Sequence, residues 1–253
     1  MINYIKAELY RLFRKKSLYI YYSVLAVLFL IVTYMMDDVL TPQNAVDYTQ
    51  GILRFIPVLF GGFIFAAVYI DDLTAKSLPQ AIGFGINKTA ILFSKIIVST
   101  LINIVFLIAA LLIMCAAFIA FGVNIAGIID IMLKMLIRPV LLTAVYMAVG
   151  SIASFGTQKI PAAMTVYLFF SSGLVDYLLN ELLRLEFIRM TLMTDIRRYF
   201  LYTVEAVADE IDDMLFFGNY YSFSVVPFIQ YAIFLIITLS LSAWAFNKKE
   251  TEF

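Results

Sequence analysis

Six apolar stretches dominate the chain, at about 17–36, 52–70, 91–120, 132–156, 160–179 and 225–246. A bilayer core is about 30 Å thick, and a helix needs about 20 apolar residues to cross it. Lipid offers backbone N–H and C=O groups no hydrogen-bond partners, so each stretch must satisfy its own as a helix. Charged residues make up 14% of the chain, against about a quarter in a soluble domain. The expected fold is an all-α polytopic membrane protein: one transmembrane domain over residues 1–253 with six spans.

The polar islands between the spans set the orientation. With the N-terminus in the cytoplasm, segments 1–16, 71–95, 157–160 and 247–253 face inward. They hold eleven of the eighteen basic residues and five of the acidic ones, a net of +6, which leaves −6 outside. Lys and Arg accumulate on the cytoplasmic side of membrane proteins, so both termini are expected inside, as an even number of spans requires. Lys15–Lys16 precede about twenty apolar residues with no small-residue cleavage pattern after them, which reads as a retained first span.

Residues 2–16 are too polar to cross. Ile2, Ile5, Leu9, Leu12 and Phe13 recur at helical spacing, with Lys6, Glu8, Arg11, Arg14 and Lys15 on the other face. This predicts an interfacial helix with its apolar side in the membrane and its cations over anionic lipid. Asp37–Asp38 open an outer loop running to about Gly51. Gly62/Ala66, Ala144/Ala148 and Gly150/Ser154 are small-residue pairs that permit close helix approach. Lys134 and Arg138, near the outer end of the fourth span, are expected to snorkel toward water. The extracellular segment 180–224 carries Leu182, Leu185, Ile188, Leu192, Ile196 and Tyr199, then Val207, Ile211, Met214 and Leu215, near helical spacing. It also holds an acidic cluster of Glu205, Asp209, Glu210, Asp212 and Asp213, expected to be a solvated helical face.

Several chemistries are missing. The chain has no histidine, so Ser–His and Cys–His nucleophile pairs and histidine-dependent metal sites are excluded. Its one cysteine, Cys115, forms no intramolecular disulfide. No carboxylate sits mid-span; Asp176 is the nearest, which disfavours ion coupling. Gly83–Thr89 resembles a phosphate loop in outline, but Asn87 replaces the Gly before Lys88 and no strand precedes it. The reading is a non-catalytic subunit with no cofactor of its own and no nucleic-acid partner. Any energy source must be another polypeptide.

A basic amphipathic N-terminal helix, a charged inner island after the second span, a long third span, a tight turn between the fourth and fifth, and an amphipathic outer segment together resemble the permease subunits of ABC-2 type transporters. Within the island, Asp71–Asp72 match the family's acidic start, Lys76-Ser77-Leu78 stands at its turn, Asn87–Lys88 at its polar-basic pair and Ser94–Lys95 at its close. Ala75-Lys76 replaces the usual Gly-Thr.

The resemblance implies a bacterial cytoplasmic-membrane exporter half that pairs with a second permease copy, identical or paralogous. Cytosolic ABC ATPase subunits would bind the ATP and magnesium. Loop 71–90 would be the coupling element, with Asp71, Asp72, Lys76, Ser77, Pro79, Asn87, Lys88 and Lys95 contacting the ATPase. Spans 2 and 5 would line the dimer interface, making Phe55, Phe60, Phe63, Phe65, Tyr69, Tyr167, Phe169 and Phe170 the substrate pathway. Such an aromatic, uncharged route suits an amphipathic cargo, an antimicrobial or toxin-like peptide above all. The competing expectation is a non-transporting sensor or immunity scaffold that binds an amphipathic ligand through its outer segment.

Overall fold

The computed structural model describes residues 2–35, 41–74, 77–175, 177–178, 181, 204–216 and 225–248. Among these there are helices and turns and no strand. The elements in chain order are α1 (Ile2–Phe13), α2 (Lys16–Met35), α3 (Pro42–Phe65) running through a π-helical turn (Ala66–Ile70) into α4 (Asp71–Thr74), and α5 (Ser77–Gly83). There follow α6 (Lys88–Ala120), α7 (Ile129–Lys134), α8 (Ile137–Thr157), α9 (Ile160–Ser171), α10 (Val204–Phe216) and α11 (Val226–Lys248).

Among the described residues, five helices are long and apolar enough to cross a membrane: Lys16–Met35, Pro42–Thr74, Lys88–Ala120, Ile129–Thr157 and Val226–Lys248. The chain is a multi-pass membrane protein. Where the sequence places a fifth span at 160–179, the continuous helix α9 is only 12 residues. It stops at a Ser172–Gly173 turn, with Gly173 at a positive φ of 73° that side chains disfavour.

Helix ends follow local chemistry more closely than hydropathy. The outer loop expected from Asp37 to Gly51 is mostly helix, because Thr41 caps α3 by accepting a hydrogen bond from the Asn44 amide and Pro42 occupies the first turn. At the other end, α5 closes in a Schellman motif. The Ile86 amide donates to the Ala81 carbonyl, the Gly85 amide donates to Ile82, and Gly85 has a φ of 82°. Asn87 then starts α6, its side chain accepting from the Thr89 amide at 3.1 Å.

Helix α8 is the hub, packed against α3, α6, α9, α10 and α11. The small residues read from the sequence make this possible, since Ala144, Ala148, Gly150 and Ser154 are all buried, with Ser151 beside them. A Cβ on Gly150 would sit 2.7 Å from the Phe65 ring. Ser151 and Ser242 are hydrogen-bonded at 2.6 Å, and the Tyr231 hydroxyl donates to the Leu141 carbonyl at 3.0 Å, holding α11 on α8. By contrast α2 stands at the margin. Tyr21 stacks on Phe63 with centroids 4.2 Å apart, and Tyr22 meets Phe60 and Phe106 edge-on or tilted. Between α2, α3 and α6 these rings leave an apolar crevice of about 310 Å³.

Candidate coupling site

Four charged side chains from three elements meet at one end of the bundle. Lys95, about two turns into α6, is fully buried, and Asp72 on α4 is 3% exposed. They form a direct ion pair. Asp72 also receives Arg11 Nη1 of α1 at 2.9 Å, and Arg11 Nη2 reaches Glu8 Oε2 at 2.6 Å. Glu8 Oε1 lies 3.8 Å from Lys95 Nζ, closing a ring of alternating charge. Isolated charges cost several kcal/mol to bury, and only paired, hydrogen-bonded ones are tolerated. The ring meets that condition.

The π-helical turn supplies the remaining acceptor. Its wider winding disturbs the regular backbone ladder, and Lys95 Nζ donates to the Val68 carbonyl within it at 2.8 Å. Lys95 therefore grips the π-helical turn and α4 together. Beside the ring, burial first and then the Glu8 and Asp72 carboxylates push the Tyr4 hydroxyl's pKa far up, which keeps it protonated. For Arg11 burial disfavours the charge, but Asp72 and Glu8 outweigh it and raise its pKa. A second pair, Lys15 with Asp71, ties the α1–α2 junction to α4.

This arrangement differs from what the sequence suggests for α1. Leu12 and Glu8 are buried against the bundle, with Ile5 and Leu9 packed on the core. The face left outward carries Ile2, Lys6, Tyr10, Phe13 and Arg14, and the Arg14 guanidinium lies 4.6 Å from the centre of the Tyr10 ring. Much of the apolar stripe thus meets protein, and an aromatic-basic face remains free of the bundle.

The island residues separate into inner and outer positions. Asp72 and Lys95 are interior, so their side chains brace the helices and present no docking surface. Asn87 is the α6 cap, and Lys88 Nζ donates to the Phe246 carbonyl at 3.2 Å, fastening the end of α11. Asp71 is partly exposed, Ser77 opens α5, and Pro79 is half-buried within it; Lys76 lies outside the described residues. Phe84, which sequence patterning passes over, stands 87% exposed in the α5–α6 turn. Glu8 and Arg11 were also hidden, since they lie far from Asp72 along the chain and leave no local signal.

The aromatic set divides as well. Phe60, Phe65, Tyr69 and Tyr167 are 0–4% exposed. Phe65 stacks on Tyr69 and on Tyr167 with centroids 4.9 and 4.8 Å apart. The Tyr167 hydroxyl donates to the Pro57 carbonyl at 2.6 Å, passing so near Gly61 that a Cβ there would collide with it. These four are buried packing residues within the chain. Phe55 and Phe169 are exposed at 64% and 41%, while Phe63 and Phe170 are half-buried against the core.

At the opposite end, Arg138 does not snorkel. It is 6% exposed and ion-paired with Asp209 of α10. Lys134, half-buried, pairs at 2.7 Å with the exposed Asp130 one helical turn earlier. The acidic face of α10 is therefore partly interior: Asp212 is buried, while Asp213 is exposed. The Glu205 side chain, Asp176, and the expected amphipathic positions from Leu182 to Tyr199 lie outside the described residues. Among the described residues no group of His, Cys, Asp or Glu side chains could hold a metal ion.

No protein-family model matches the chain, and no curated protein is significantly similar to it.

Proposed function

We propose that the chain is the transmembrane half of an ATP-driven exporter of the ABC-2 permease type. The observation that carries this reading is the ring of Glu8, Arg11, Asp72 and Lys95, which locks an amphipathic N-terminal helix and the island after α3 onto the ends of two spans. A force applied to α5 would pass through α4 into α3 and, by Lys95, into α6. Such a brace suits rigid-body motion of packed helices.

On this reading α9 and the helical residues beyond Gly173 make a sixth, broken crossing, and both termini face the cytoplasm of a bacterial cell. Phe84 and the exposed part of α5 seat in a cytosolic ABC ATPase that carries the ATP and magnesium. A second permease copy, identical or paralogous, completes the pathway. Phe55, Phe63, Phe169 and Phe170 are the aromatic residues left to face it. Their uncharged character favours an amphipathic peptide as cargo, with membrane lipid around the outer surfaces.

The test is functional reconstitution. Liposomes holding the chain and an ATPase encoded beside its gene should hydrolyse ATP faster when amphipathic peptide is added. Replacement of Phe84 by Asp should abolish that stimulation and leave the helical content intact. If no neighbouring ATPase binds the chain, or if hydrolysis ignores its presence, the proposal fails.

A further inference from the structure

Helix α10 packs on α7, α8 and α11, remote from the Lys95 ring. Val207, Ala208 and Ile211 form its inner face, all 0–1% exposed. One carboxylate shares that face. Asp212 is 5% exposed, and its Oδ1 is buried without a hydrogen-bond partner. Removing an ionised carboxylate from water without a donor is expensive, and the ordinary escape is to take up a proton.

The surroundings do not supply a full counter-charge. From α8 comes Arg138, already ion-paired with Asp209, and from α3 comes Arg54; both favour the ionised form. On α10 itself Asp209 and Asp213 oppose it, and Glu210 lies close in sequence. Helix α7 offers Asp130 and Lys134, which are paired with each other. The ionisable group on the facing half of α11 is Tyr231, whose hydroxyl is engaged by Leu141. Burial is the largest influence, ahead of the arginines, and moves Asp212 up from 3.8 to about 6.

We propose that Asp212 is a proton-binding site that fastens α10 to the outer ends of α7, α8 and α11, so that this helix seats firmly when the carboxyl is protonated and loosens when it ionises. The proposal stands whether or not the chain serves an exporter. A carboxyl raised in the seated state binds its proton more tightly there than in the released helix. Seating therefore strengthens as pH falls through about 6 and levels off below the free value of 3.8. The gap between those two values limits the whole effect to about a hundredfold, and between pH 7.5 and 5 it amounts to about tenfold.

Hydrogen exchange of the full chain in nanodiscs reads this directly, once rates are corrected for intrinsic pH dependence. Protection of amides in α10 should rise about tenfold from pH 7.5 to 5. In Asp212→Asn it should be flat within about twofold, while Asp213→Asn should keep the rise with a lower midpoint. A flat wild-type profile overturns the proposal. So does a tenfold rise that persists in Asp212→Asn, or one that disappears in Asp213→Asn while Asp212 is intact.

Discussion

Replacing Asp72 by Asn tests the buried ring with minimal change of shape. Lys95 would keep the Val68 carbonyl at 2.8 Å and Glu8 at 3.8 Å, but would lose its direct counter-ion. Arg11 would lose a 2.9 Å partner and retain Glu8. Breaking one side of a buried pair costs about 3–5 kcal/mol, and Glu8 within reach places this case near about 3. For a chain of this size each kcal/mol moves the midpoint by about 2–4 °C, so the loss is about 6–12 °C. Thermal unfolding in nanodiscs, followed by circular dichroism, measures it. The double replacement Asp72→Leu with Lys95→Met removes both charges, leaves Glu8 and Arg11 to each other, and should recover most of the loss. A single variant within about 2 °C of wild type, or a double variant no better than the sum of its singles, would refute the idea that these charges depend on each other.

Other substitutions probe the packing. Gly150→Ala places a Cβ 2.7 Å from the Phe65 ring and should destabilise by about 1–3 kcal/mol. Gly51→Ala, on an open face of α3 with nothing within 4 Å, should stabilise by about 0.5–1 kcal/mol; the same unfolding assay must give opposite signs for the two. Arg138→Met removes the partner of Asp209 and one of the two cations facing Asp212. It should weaken the attachment of α10 by about 2 kcal/mol, seen as faster limited proteolysis between Val204 and Phe216 with no change in the other helices.

The spans were legible because a long apolar run has one solution in lipid. The last span, expected at 225–246, is observed as Val226–Lys248. Its neighbours were less so, since hydropathy does not see caps. Thr41-Pro42 starts α3 ten residues before its apolar run, and Gly173 interrupts what reads as a continuous fifth span. At the site, composition marked the island between Asp71 and Lys95 but not the use of each charge. Lys95 and Asp72 look like surface residues in sequence because they border polar segments. They are interior because α1 folds over them, Arg11 reaching Asp72 and Glu8 facing Lys95. Arg138 teaches the same lesson from the other end. A snorkelling cation and a buried ion pair have identical local sequence, and only the return of α10 decides between them.

Site-specific photo-crosslinking at Phe84 tests the central claim most directly, because that side chain is 87% exposed beside the braced island. In native membranes a crosslinker there should yield an adduct with a P-loop ATPase whose amount changes when ATP is supplied, while one at Tyr34, 70% exposed near the other end of α2, should yield none. No ATPase adduct at Phe84, or equal adducts from both positions, would contradict the account.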